Sequence, residues 1–166
     1  MNRFKQFFKA LNANISSEDG KYISSHLNAE QQKLFFAMSV IDQYHCLNTA
    51  YTIERLVIED KKNINREFLI RCALLHDCGR INGDLSLFGK VFAVLINKFL
   101  PTFADWLEMR GVKFIYVYRH HALIGARKLQ QLGLYSEAKI VANHHSTPAP
   151  DDPKELKLLR LADEEN

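Results

Sequence analysis

"REFLIRCALLHD", residues 66–77, runs straight into Cys78, Gly79 and Arg80. Phe68, Leu69, Cys72, Leu75 and His76 recur at helical spacing, which places His76 on or beside a buried face. Asn65 stands where an N-cap is needed, and Gly79 fits a helix stop, with the chain turning through "GRINGD", residues 79–84. The run therefore reads as a buried helix that ends in an ionisable pair, His76 and Asp77. A carboxylate taken out of water is costly unless a positive group sits against it, so Asp77 needs a partner.

The same start and stop signals divide nearly the whole chain into helices, with no sustained alternation of period two, so the fold class is all-α. Asn28 and Gln31 make a capping box for "AEQQKLFFAM", residues 29–38, and Ser39 with Asp42 caps "VIDQYHCLNTAYTIERLVIE", residues 40–59. His45 falls in the second turn of that helix. "LSLFGKVFAVLINKFL", residues 85–100, stops before Pro101, and "TFADWLEMR", residues 102–110, forms a short helix before Gly111. "VKFIYVYRHHALIGARKLQQL", residues 112–132, then runs to Gly133, and its β-branched and aromatic start also suits a short extended piece. Ser136 caps "EAKIVANHH", residues 137–145; Asp152, Pro153 and Glu155 supply a cap, a first-turn proline and a capping box for "KELKLLRLADEE", residues 154–165. The stretch from Ile81 to Tyr118, rich in Phe, Leu and Trp106, reads as ordinary core, with a pocket cap or a dimer face as the other readings.

Of the 166 residues 47% are hydrophobic and 25% charged, enough apolar material for one core. The net charge of +3 comes from scattered Lys and Arg rather than a basic stripe, which argues against a nucleic-acid polymer as partner. The longest apolar stretches, such as Val91 to Ile96, fall far short of the roughly 20 residues of a membrane span. "MNRFKQFFKALNAN", residues 1–14, lacks the apolar run of a secretory signal and is amphipathic, with Phe4, Phe7, Phe8 and Leu11 on one side. It reads as a helix packed on the domain, or else as a membrane-surface anchor. Cys46, Cys72 and Cys78 are odd in number and lack a Cys-x-x-Cys spacing, which argues against a disulfide framework or a thiolate zinc site and points to the cytoplasm.

His45, His76, the pair His120 and His121, and the pair His144 and His145 lie on four different expected helices, and His26 stands apart. With Asp77 and Asp163 they form a set of nitrogen and oxygen donors that a helical bundle can aim at one interior point. Taken singly, each has an ordinary role as well. A histidine near a helix end can be a hydrogen-bonded core residue, Asp77 can cap a neighbouring element, and Asp163 in "LADEEN" can belong to a solvated acidic tail.

The order of these residues resembles the HD superfamily of metal-dependent phosphohydrolases, marked by a histidine, an adjacent His-Asp pair and a distant aspartate. Those positions read here as His45 in "DQYHCLNTA", His76 and Asp77 in "LLHDCGR", and Asp163 in "LLRLADEE", so that the likeness covers roughly residues 30 to 165. "HDCGR" is similar to the HD-Ile-Gly-Lys version, with Arg80 keeping the basic charge. His121 in "HHALIGARKL" and His144 in "IVANHHS" resemble the expanded two-metal branch, although Ser146 stands where relatives often have glutamate and no Gly-Tyr-Pro signature is present.

The resemblance implies a helical bundle with a dinuclear metal site in its core. It makes His45, His76 and Asp163 ligands of one metal, His121 and His144 ligands of a second, and Asp77 the bridge. Chemistry supports the bridging role, because one carboxylate offers two oxygens and so neutralises charge between two cations. Neighbours on a helix point about 100° apart, so one member of each histidine pair is expected at the site, with His145 in reserve for His144. Mixed imidazole and carboxylate donors suit iron or manganese, and also zinc or magnesium. Arg80 keeps a fixed charge suited to a two-pronged grip on phosphate, or else serves as a surface arginine at a helix end. Lys90 is either a contact for an anionic substrate or a solvated lysine, while Cys46 and Cys78 read as packing residues.

What the resemblance implies overall is a single domain over residues 1–166, with residues 1–27 as an N-terminal helical extension and 28–166 as the metal-binding core. The implied function is a cytoplasmic phosphomonoesterase or phosphodiesterase that hydrolyses a small phosphorylated compound, such as a nucleotide, by metal-activated water. Asp77 and Arg80 are its expected catalytic residues. Two other readings share the same ligands: a di-iron oxygenase of the same superfamily, and a non-catalytic module that senses metal or nucleotide. Oligomeric state is left open.

Overall fold

The computed structural model describes residues 14–60, 64–81 and 87–166, and every regular element within them is a helix. In chain order these are α1 (Ser17–His26), α2 (Ala29–Phe36), α3 (Val40–Asp60), α4 (Arg66–Leu75), α5 (Leu87–Phe99), α6 (Pro101–Met109), α7 (Lys113–Gln131), α8 (Tyr135–Ala142) and α9 (Lys154–Glu165). The amphipathic segment expected over residues 1–14 lies, apart from Asn14, outside the described residues, as do part of the "GRINGD" turn and the side chain of Lys90. No helix among the described residues is long and apolar enough to cross a membrane.

α4 is the centre of the bundle. Leu69, Ile70, Cys72, Ala73, Leu74 and Leu75 are all buried along its ten residues, and a helix that is apolar on nearly every side must be surrounded. α1, α2, α3, α8 and α9 all pack against it. Each buried Leu or Ile there contributes about 1.5–3 kcal/mol from area removed from water. α1 joins the same core through Ile23, and Leu27 just beyond its end does likewise. α7 packs along α8, and α5 and α6 pack on each other and on α7.

Several of the expected caps are present. Asn28 Oδ1 accepts from the Gln31 amide at 3.0 Å while Gln31 Oε1 accepts from the Asn28 amide at 3.0 Å. Asn65 Oδ1 accepts from the Phe68 amide at 3.1 Å, and Ser39 Oγ from the Asp42 amide at 3.3 Å. α7 is helical from Lys113 onward, so the extended alternative for its start is excluded. Gly111 and Gly133 close α6 and α7 at φ of 74° and 77°, the left-handed conformation that favours glycine.

Other boundaries differ from expectation. α4 stops at Leu75, so His76 is its C-cap and Asp77 lies in the following turn. α8 begins at Tyr135 with Leu134 as N-cap, which puts Ser136 inside the helix, and it ends at Ala142, before both histidines. Asp152 does not cap α9, whose N-cap is Pro153; its carboxylate instead accepts from the Ala149 amide at 2.8 Å and from Arg160 Nη1 at 2.5 Å. The Ile81–Tyr118 stretch is not ordinary core. Its described part buries small or β-branched side chains such as Ala93, Ala104, Ile115 and Val117, and exposes Phe92, Phe99, Leu100, Trp106 and Met109.

Candidate metal centre

Four parts of the fold bring the histidines and aspartates together: the first turns of α3, the turn after α4, the middle of α7, and the meeting of the turn after α8 with the end of α9. His45 comes from α3 and Asp163 from α9, which pack together, and His45 Nε2 lies 2.7 Å from Asp163 Oδ1. His76 Nε2 stands 3.5 Å from Asp163 Oδ1 and 3.8 Å from Asp77 Oδ2. On the other side of the aspartate, Asp77 Oδ1 lies 3.2 Å from His121 Nε2 and 3.9 Å from His144 Nε2. Asp77 is thus flanked on both sides by imidazoles, and it is buried together with His76, His121 and His144.

Local backbone fixes which nitrogen each ring turns inward. His76, His121 and His144 each place Nδ1 within 2.6–2.8 Å of the carbonyl three residues earlier, on Ala73, Tyr118 and Val141. A carbonyl only accepts, so each Nδ1 carries a proton and each Nε2 is the atom facing the cluster. Nε2 of His76, Nε2 of His144 and Oδ1 of Asp77 are buried and make no hydrogen bond. Orphaned polar atoms of this kind are costly, and a cation between them removes the cost. Two donors about 2.1 Å from one tetrahedral cation stand about 3.4 Å apart, which the observed 3.2–3.9 Å spacings around Asp77 bracket. The donor set therefore fits a divalent cation. Among the described residues, three overlapping groups could hold one: His45, His76 and Asp77; His76, His144 and Asp163; and Asp77, His121, His144 and His145.

His145 is the departure from helical reasoning. Because α8 ends at Ala142, His144 and His145 sit in a turn, and the 100° rule does not separate them. Their ring centroids are 3.9 Å apart, and the His145 ring is 4.9 Å from that of His121. On α7 the rule holds, since His120 turns away onto Glu108 and the Tyr116 ring. His26 also lies apart, paired with Glu67 at 2.7 Å.

The electrostatics match a set of deprotonated ligands. Burial alone would raise Asp77, but Arg80, His76 and His121 hold its carboxyl well below the usual range. Burial likewise opposes ionisation of Asp163, and the hydrogen bond from His45, with His76 3.5 Å away, holds its carboxyl below the usual range. Burial, reinforced by the neighbouring imidazoles, pushes His144 well down, and burial with His121 brings His145 to about 4. His76 is the exception: burial lowers it, but Cys46, Asp77 and Asp163 together hold it well above the ordinary histidine value.

Arg80 faces inward. Its Nη1 is bonded to Asp77 Oδ2 and lies 3.6 Å from Asp42 Oδ1, and its Nη2 is 3.0 Å from His121 Nε2. Cys46 and Cys78 are buried and flank the cluster, with Cys46 Sγ 3.7 Å from His76 Nδ1.

Two contributors escaped sequence reasoning. Arg160, only 8% exposed, donates to the carbonyls of His144 and Asn143 at 3.2 and 2.8 Å and to Ser146 Oγ at 2.7 Å, fixing the turn that carries both histidines. It lies one turn from Leu156 and Asp163, on the buried stripe of α9, which was the available signal. Asp42 lies one turn before His45 on the same face of α3, and reads from sequence only as a cap. Beside the cluster opens a cavity of about 420 Å³ lined by His144, His145, Arg160, Asp163 and Glu164, among others.

A family model for the HD domain matches residues 43–165, and the chain belongs to the HD domain family. The match opens two residues before His45 and closes two residues after Asp163. Membership implies hydrolase-type chemistry that depends on a divalent metal, since the family consists mostly of metal-dependent phosphohydrolases. Comparison with curated proteins and with solved structures found no match.

Proposed function

We propose that this chain hydrolyses a small phosphorylated compound, such as a nucleotide, with divalent cations held by His45, His76, Asp77 and Asp163 and by the adjoining His121, His144 and His145. The observation that carries the reading is the convergence of three buried donors without hydrogen bonds, His76 Nε2, His144 Nε2 and Asp77 Oδ1, beside a cavity of small-molecule size. Bound there, a divalent cation supplies Lewis acidity, lowering the pKa of water towards neutrality and screening the charge of a phosphate ester.

The protein's own groups prepare that chemistry. Carbonyls of Ala73, Tyr118 and Val141 hold three imidazoles in one tautomer, so no ring has to reorient when a ligand arrives. Asp77 presents its two oxygens to opposite sides of the cluster, and Arg80 compensates its charge. His145, neutral at the cavity wall, can accept a proton or a hydrogen bond from a substrate group.

Purified protein loaded with manganese or iron is expected to hydrolyse at least one member of a panel of phosphomonoesters and phosphodiesters. Asp77→Asn, with circular dichroism unchanged, is expected to lower turnover about a thousandfold or more. Full turnover in that variant, or no hydrolysis by protein shown to carry the metal, contradicts the reading. Substrate-dependent oxygen uptake by the iron form would replace it with oxygenase chemistry.

A further inference from the structure

The Arg80 guanidinium lies within the candidate metal centre and engages His121 Nε2, a nitrogen that a second cation would use. Because the Tyr118 carbonyl fixes the proton of His121 on Nδ1, Arg80 Nη2, 3.0 Å from Nε2, donates into the only lone pair by which His121 could hold a metal. Arg80 Nη1 is bonded to Asp77 Oδ2, the oxygen on the His76 side, and so holds the guanidinium against the bridge while Oδ1 faces His121. Asp77 and His121 are two of the four donors in the Asp77, His121, His144 and His145 group. The Arg80 side chain is 16% exposed, and its inward position is held from the far side by Asp42, itself 4% exposed.

Formal charge points the same way. Asp42, Asp77 and Asp163 bring three negative charges to the cluster. Arg80 and one divalent cation bring three positive ones. A second divalent cation with Arg80 still in place leaves two excess positive charges beside the buried Asp77, His121 and His144, a costly arrangement. Ser146 adds no carboxylate to offset them; its hydroxyl is bonded to Arg160 and to the Asn143 carbonyl.

We propose that Arg80 is a tethered competitor for the second cation. The chain then binds one divalent cation tightly on His45, His76, Asp77 and Asp163, and binds a second on Asp77, His121, His144 and His145 only when the guanidinium is removed or displaced. This rests on the metal-centre reading above and goes beyond it by making the two positions unequal and naming the side chain responsible.

The test is manganese binding without any substrate, read by calorimetry and by elemental analysis after desalting. Chelator-treated wild-type protein is expected to retain about one equivalent, and Arg80→Ala about two, with the second bound roughly 10- to 100-fold more tightly than in wild type. Arg80→Lys, whose single ammonium cannot serve Asp77 and His121 together, is expected to fall between them, and it decides the matter if the alanine variant does not fold. In the double variant Arg80→Ala with His121→Ala the added equivalent should disappear while the first persists. Two equivalents of equal affinity in wild type, or no gain at the second position in either Arg80 variant, overturns the competitor role and leaves the metal centre standing. No manganese bound by folded wild-type protein overturns both.

Discussion

A Cβ on Gly79 would stand 1.9 Å from the carbonyl oxygen of His121, so the turn that carries His76 and Asp77 rests directly on the backbone of α7. The φ of Gly79 is ordinary; the residue is required for close approach, and Gly125 answers it from the other side, where a Cβ would lie 3.1 Å from the Gly79 nitrogen. Lys128 Nζ adds a hydrogen bond to the Cys78 carbonyl at 2.8 Å. This crossing is what sets Asp77 against His121.

Gly79→Ala is therefore expected to force the turn off α7. A cost of about 1–3 kcal/mol or more follows from overpacking against a backbone that cannot yield. At about 2–4 °C per kcal/mol for a chain of this size, the melting temperature should drop by several degrees, and metal affinity should drop with it. Gly125→Ala meets its neighbours less closely and should cost less. Equal or negligible losses in the two variants, measured by thermal denaturation, would show that the crossing does not position the site.

Arg160 offers a second handle, because it holds the His144–His145 turn without facing the donor atoms of the cluster itself. Arg160→Gln is expected to weaken manganese binding by about 10- to 100-fold, the usual effect of losing a group that orients a ligand. Arg119→Ala is the control: Arg119 ties Asn97, Asp105 and Glu108 together at the outer edge of α5, α6 and α7. Calorimetry should separate the two variants, and an unchanged affinity in Arg160→Gln would remove the positioning role.

The buried imidazoles set a pH dependence for the metal-free protein. His144 and His145 have folded pKa values below 6.5, so the unfolded chain binds their protons first as pH falls, and their contribution, complete above about 6.5, is lost below it. His76 has the opposite sign: its folded pKa is raised, so its contribution is complete below about 6.5 and is lost as pH rises through that higher value. Stability in chelator is expected to peak near pH 6.5. On the acid side the slope should approach about 1.4 kcal/mol per pH unit from His144, with a smaller addition from the partly exposed His145. Asp77 and Asp163, whose folded pKa values are depressed, add a further loss below about pH 4. Urea midpoints across pH measure this, and a flat profile between pH 5 and 8 would contradict the assigned charge states.

Sequence reasoning reached what depends on local rules. Asn28, Ser39 and Asn65 cap as their spacing requires, the apolar run of α4 is buried as its composition demands, and α5 ends before Pro101. The ordered histidines and aspartates were also readable, because motif order survives whatever the fold does between them. The rest depends on packing across the chain. Gly79 was read as a conformational stop, yet its role is set by α7, more than 40 residues later in sequence. Asp152 reads as a cap, but Arg160 takes its carboxylate, and His145, in reserve for His144 under a helical rule, joins the cluster because α8 ends at Ala142. Arg80 reads as a grip for phosphate or as a surface arginine at a helix end, and its inward turn depends on Asp42, Asp77 and His121, drawn from three parts of the fold.

X-ray diffraction from crystals grown with manganese, recorded at wavelengths on both sides of the manganese absorption edge, tests the central claim most directly. An anomalous peak is expected within bonding distance of His76 Nε2, Asp77 and Asp163, with His45 Nε2 turned towards it. Protein that diffracts well with no such peak, or with manganese bound only elsewhere on the surface, would contradict it.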